Sequence, residues 1–133
     1  GFSFAKQSRA FAQNLAVECD HISGDSYVIK QDRIENIGNN VSLIFNDLDF
    51  GSQGAAGIVI YGRAPIDNTI HLHLTNNDGQ SSKQIIEFKQ SDEYCTQEFV
   101  LDKITGCNKV SFVFLPGSNF DFGWFRFTKE GEK

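Results

Sequence analysis

The chain contains no methionine, two prolines, three cysteines and one tryptophan in its 133 residues. Each shortage excludes something. Cys19, Cys95 and Cys107 are too few and too scattered for a disulfide framework or a zinc site, and their odd number leaves at least one thiol free. Three reduced thiols are the simpler reading and lean toward a reducing compartment. Cationic residues are in the minority, 12 Lys and Arg against 17 Asp and Glu, for a net charge of −5. A chain of that sign does not neutralise a phosphate backbone, which argues against a nucleic-acid partner. No apolar run approaches the roughly 20 residues of a membrane span, and no signal-peptide pattern is present. The chain is therefore expected to be either cytoplasmic or cut from a longer secreted protein.

Catalytic signatures are also missing. No serine sits in a Gly-x-Ser-x-Gly elbow, no cysteine carries a local family signature, and no glycine loop is spaced to cradle phosphate. Carboxylates are plentiful enough that a glycosidase pair is not excluded by counting. The short chain, with no obvious pocket-forming insertion, speaks against one.

What the chain does have is 13 Phe and 12 Gly, the composition of a β-rich domain with many turns. The segment from Asn119 to Phe127 is the most apolar strand signal. At period 2, Phe120, Phe122 and Trp124 share one face, while Asp121, Gly123, Phe125 and Phe127 share the other. A strand apolar on both faces lies inside a two-layer assembly. Only its polar entrance, Asn119 and Asp121, has the character of a site.

Residues 1–14 read as a linker or N-terminal extension, with a helical turn between Ala5 and Gln13; 15–129 form the domain, and 130–133 a tail. Strand signals run through Leu15–Asp20 (with Glu18 and Asp20 on one face), Tyr27–Lys30, Val41–Phe45, Ile58–Tyr61, Thr69–Leu74, Ile85–Phe88, Glu98–Leu101, Lys109–Leu115 and the final stretch. Asn76-Asn77-Asp78-Gly79 is the strongest hairpin turn. About nine strands at this spacing, with no long helix, predict an all-β antiparallel β-sandwich of jelly-roll type, barrel closure being the alternative.

Two clusters carry potential chemistry. His71 and His73 alternate outward from Ile70, Leu72 and Leu74, placing two imidazoles on one face; they read either as solvent-facing positions or as a metal-sharing pair with no third ligand linked in sequence. Tyr94, in the polar turn Ser91-Asp92-Glu93-Tyr94, is either a ring capping the core edge or half of a sugar site with Asn119 and Asp121. Sugars stack their C–H faces on aromatic rings and pair their hydroxyls with planar polar groups.

From Glu18 onward the chain resembles a family 6 carbohydrate-binding module. The blocks are Glu18-Cys19-Asp20, Asp49-Phe50-Gly51, Arg63-Ala64 and the ending Gly123-Trp124-Phe125-Arg126-Phe127. Further blocks, including Gly24-Asp25-Ser26, Ile37-Gly38-Asn39-Asn40-Val41 and Asp92-Glu93-Tyr94, are similar to the module at the C-terminus of bacterial family 2 β-galactosidases. The resemblance implies a non-catalytic module joined to an upstream catalytic domain and binding a glycan. Its alternative is a degenerate module with a structural or oligomerising role. It implies ligand contacts at Tyr94, Asn119 and Asp121, and places Ile34 and Ile37 where the family has a second aromatic, so Ile37 is a candidate wall of the cleft. It also implies a structural calcium at Glu18 and Asp20, with Gly123 standing where a third carboxylate is expected.

Overall fold

The computed structural model describes residues 10–38 and 40–129. The turn anticipated between Ala5 and Gln13 therefore falls largely outside the described residues, as does the tail. Within them run β1 (Asn14–Leu15), a single 3-10 turn (Ala16–Glu18), β2 (His21–Ser23), β3 (Val28–Ile29), β4 (Ile34–Ile37), β5 (Val41–Asp49), β6 (Ala55–Arg63), β7 (Asn68–Asn76), β8 (Ser81–Phe88), β9 (Cys95–Ile104), β10 (Cys107–Phe114) and β11 (Phe120–Thr128). One sheet has the order β3-β4-β11-β6-β9, with β1 also on β11; the other is β2-β5-β10-β7-β8. From β4 to β7 and again from β8 to β11, each strand passes to the opposite sheet. This is the expected antiparallel jelly-roll sandwich. The β7–β8 hairpin turns where anticipated. Asn76 Oδ1 accepts from the N–H of Asp78 and of Gln80 at 2.9 and 3.0 Å, and Gly79 takes φ +84°.

The space between the sheets is filled by phenylalanine. Phe45, Phe112, Phe122 and Phe125 are fully buried and meet largely edge to face at 4.8–6.2 Å. Such pairs are worth about 0.5–1.5 kcal/mol each beyond the area they bury.

The last strand differs from its period-2 reading. On β6, Gly62 pairs with Phe122 and the next residue, Tyr61, pairs with Trp124, so Gly123 is an extra residue in a β-bulge. A bulge resets the alternation. Phe120, Phe122, Phe125 and Phe127 all face the core, while Trp124 points outward. A second bulge lies on β4: Ile37 opposes Phe120 and Ile34 opposes Phe122, two β4 residues spanning the single Asp121. Asn36 there has φ 56°. Both Ile34 and Ile37 are thereby turned into the core, each fully buried.

The expected first strand is also revised. Ala16–Glu18 is a 3-10 turn, and only Asn14–Leu15 is strand, so Glu18 and Asp20 do not share a strand face. Strands β2 and β4, absent from the nine anticipated, are too short to display a period.

Three side-chain amides act as substitute strands. Asn68 donates to the carbonyl of Asn119 at 3.0 Å and accepts from its N–H at 2.9 Å. Gln84 does the same with Asp102 at 3.0 and 2.7 Å, and Gln97 with Lys89 at 2.9 Å in both directions. The latter two stitch β8 to β9 across the open side of the sandwich.

Candidate ligand-binding site

The two bulges converge on one end of the first sheet. On β11 the reset parity puts Asp121 and Trp124 on the outer face, next to Arg63 and Tyr61 of β6, with which they pair. Tyr94, in the β8–β9 connection, folds over the same face. The three rings form a row: Tyr94 to Tyr61 at 5.3 Å and 30°, Tyr61 to Trp124 at 5.4 Å and 13°. The Arg63 guanidinium lies 5.1 Å from the Tyr94 ring centroid, within cation–π range.

Asp121 organises this end. Its Oδ1 accepts the Asn36 N–H at 2.9 Å, the group that the β4 bulge aims at it. Its Oδ2 accepts from Arg63 Nε and Nη2 at 2.9 and 2.7 Å. Only 5% exposed, the carboxylate joins β4, β6 and β11 and fixes Arg63 over Tyr94. Arg33 is braced in the same way, with Nε on Glu35 at 2.6 Å and Nη1 on Asp32 at 2.8 Å.

Two adjoining clefts result. One, of about 350 Å³, is walled by Tyr61, Tyr94, Trp124, Leu15, Arg33 and Asp32. The other, of about 330 Å³, is lined by Arg63, Asn36, Ser91, Asp92, Asn119 and Asp121. Tyr94 stands at their boundary. The Tyr94 hydroxyl is buried and has no hydrogen-bond partner among the described residues. Burial, and secondarily Asp121, pushes its pKa up to about 12. The folded protein thus holds this proton more tightly than the unfolded chain does. Its contribution to stability is intact below about pH 10 and lost as pH rises toward 12. Alkaline titration at 295 nm should show a late-ionising phenol that disappears in Tyr94→Phe. The same variant removes an unsatisfied buried hydroxyl, so its melting temperature should equal or exceed that of the parent; a clear drop would show that the hydroxyl is satisfied in solution.

Of the residues anticipated from sequence, Tyr94, Asn119 and Asp121 do come together. Asn119 is exposed on the rim, its backbone held by the Asn68 amide. Ile37 does not join them; the β4 bulge puts it in the core against Phe120, and it cannot wall a cleft. Sequence reasoning missed Tyr61, Trp124 and Arg33 as parts of the site. The signal was present for Trp124, since a glycine inside an aromatic strand marks a bulge.

Glu18 and Asp20 are both exposed, and each caps a backbone N–H: Glu18 Oε1 that of Leu15 at 3.4 Å, Asp20 Oδ2 that of Asn46 at 2.7 Å. Among the described residues no group of three or more His, Cys, Asp or Glu could hold a metal. Two carboxylates leave most of the six to eight oxygens of a calcium shell to neutral donors.

The sequence matches no protein-family model and no curated protein. Its structure does have relatives. The module CsCBM6-3 from Clostridium stercorarium, in complex with cellobiose, superposes with a TM-score of 0.75 at 23% identity, over 91% of this chain and 95% of that one. A family 6 carbohydrate-binding module from Clostridium cellulolyticum, in complex with xylose, gives 0.75 at 19% identity, over 90% and 98%. The chain has the fold of a family 6 carbohydrate-binding module. A similar fold occupies part of a longer protein, a glycoside hydrolase family 43 arabinoxylan arabinofuranohydrolase from Bacillus subtilis. There the TM-score is 0.64 at 23% identity, over 74% of this chain and 21% of that one.

Proposed function

We propose that the chain is a non-catalytic carbohydrate-binding module of a larger glycoside hydrolase, of β-galactosidase type, and that it binds a glycan at the Tyr94–Tyr61–Trp124 row. The observation that carries this is the row itself. Three aromatic side chains line up on an outer sheet face, bordered by hydrogen-bonding groups of Arg33, Asp32, Asn119 and Asp92. Aromatic surface of that kind, with polar groups at its margin, suits a sugar ring. Tyr94 already carries Arg63 over its ring and Tyr61 beside it, so Trp124 supplies much of the remaining surface. With one open stack and a few hydrogen bonds, affinity falls between about millimolar and tens of micromolar. Affinity electrophoresis against galactosides and plant polysaccharides tests the reading. Retardation on one of them, lost in Trp124→Ala and in Tyr94→Ala while both variants remain cooperatively folded at the assay temperature, is the expected result. Indifference of the parent chain to every glycan would sink it.

A second reading is favoured by the missing second aromatic and by the locked Asp121: a degenerate module serving assembly of its parent enzyme. Deleting the module from the parent would then disturb subunit association or stability with sugar affinity unchanged.

Any calcium at Glu18 and Asp20 is proposed to add little. Chelation should lower the melting temperature by no more than a few degrees, because two exposed carboxylates give weak binding and stabilisation follows occupancy. A larger drop measured by calorimetry would overturn this.

A further inference from the structure

The sheet facing away from the aromatic row carries a separate cluster that the proposed function leaves unused. The geometry points to His71 and His73 as a two-imidazole chelate for a borderline first-row divalent ion such as nickel, copper(II) or zinc. Both rings project from the outer face of β7, and their centroids are 6.2 Å apart. Two imidazoles sharing one ion through metal–nitrogen bonds near 2.0–2.1 Å have centroids about 5 Å apart at a tetrahedral angle, a difference that modest side-chain rotation closes. Among the described residues neither ring takes part in a hydrogen bond or ion pair. Nitrogen donors select transition metals over calcium or magnesium.

The spacing is held firmly. Strand β7 is hydrogen-bonded along both sides, to β10 and to β8, so the interval between the two histidines does not breathe as it would on an edge. Their flanks differ. His71 lies between Val113 and Ile85, an apolar shoulder, and His73 between Ser111 and Lys83. The Lys83 ammonium opposes a cation and is the main unfavourable neighbour. Glu87, two residues along β8 from Ile85, accepts from the Thr69 hydroxyl at 2.9 Å, and among the described residues no third His, Cys, Asp or Glu completes a metal-holding group, so the protein supplies two ligands and water the remainder. The third histidine, His21, shares this face by register but sits on β2, with β5 and β10 intervening, roughly 14 Å away at the spacing of neighbouring strands. It cannot join the chelate and serves as an internal control.

Titration of the chain with nickel chloride under a non-chelating reductant tests the assignment, followed by calorimetry and by the imidazole proton resonances. One equivalent should bind, broadening the ring signals of His71 and His73 together and before those of His21. His71→Asn and His73→Asn should each weaken binding on the order of 100-fold, the gain that the second, tethered ligand provides. His21→Asn should leave it unchanged, and Lys83→Gln should tighten it. All four positions face solvent, so the variants should melt with the parent. Nickel affinity that survives in the His71→Asn, His73→Asn double variant, or that falls equally in His21→Asn, would overturn the proposal and assign the metal to the thiols or to scattered histidines.

Discussion

Gly123→Asp should melt about 10 °C below the parent chain and lose glycan binding. A β-carbon at position 123 would lie 2.6 Å from Tyr61 Cδ2 and 3.2 Å from both its Cε2 and its carbonyl oxygen. The ring cannot yield freely, because it is stacked on Trp124 on one side and against Tyr94 on the other. Overpacking of this kind costs about 1–3 kcal/mol, occasionally more, and a half-buried carboxylate against aromatic faces adds to it. For a domain of this size each kcal/mol lowers the melting temperature by roughly 3–5 °C. By chemistry alone the substitution reads as restoring a calcium ligand beside Glu18 and Asp20; sterically it displaces the wall of the aromatic cleft. Gly123→Ala should reproduce a large part of the effect without the charge. Scanning calorimetry and affinity electrophoresis on both variants decide the matter. An Asp variant that melts at or above the parent temperature with calcium present would refute the steric argument.

Asn68→Asp is expected to be nearly as damaging, though it exchanges one isosteric group for another. The amide is 1% exposed and its nitrogen donates to the carbonyls of Ile66 and Asn119 at 2.9 and 3.0 Å. A carboxylate cannot donate, so both carbonyls lose their partner and face a buried charge. The expected cost is about 2–4 kcal/mol. The introduced carboxyl would be held above its usual pKa by burial and by those carbonyls. Its neutral form can donate once, so the deficit should shrink as pH falls toward 4 and be complete at neutral pH. Because the same amide clamps the backbone of Asn119, sugar affinity should fall along with stability. Denaturant unfolding at pH 4 and pH 7 provides the check, and equal destabilisation at both would count against the electrostatic part of the argument.

The sandwich was legible from sequence because its long strands alternate cleanly. Ile70, Leu72 and Leu74 against His71 and His73 is a period-2 pattern that a single hairpin turn then closes. Legibility failed where one residue breaks the count. Gly123 takes Trp124 off the face it was read to share with Phe120 and Phe122, and Asn36 turns both Ile34 and Ile37 inward. A bulge is a local backbone event, and periodicity propagates its error through every later residue of the strand. The site suffers most from this, since both bulges lie within it. Tyr94 could be picked out because an aromatic in a polar turn has no local reason to be there. Arg33 and Tyr61 could not, since a loop arginine or an outward-facing strand tyrosine beside a neighbour's ring looks in sequence like any other. The engagement of Asp121 by Arg63 depends on strands 58 positions apart in the chain, which no local pattern encodes.

The reciprocal amides of Gln84 and Gln97 also bear on how this protein behaves when crowded. An unpaired strand rim invites a neighbouring chain to add its own strand, the usual first step of ordered aggregation. Here the N–H and C=O of Asp102 and of Lys89 are already engaged by carboxamides from within the same molecule. A passing strand would have to displace bonds that never diffuse away. At those two points the rim offers an incoming strand no free backbone pair, so strand addition there has to break an internal bond first.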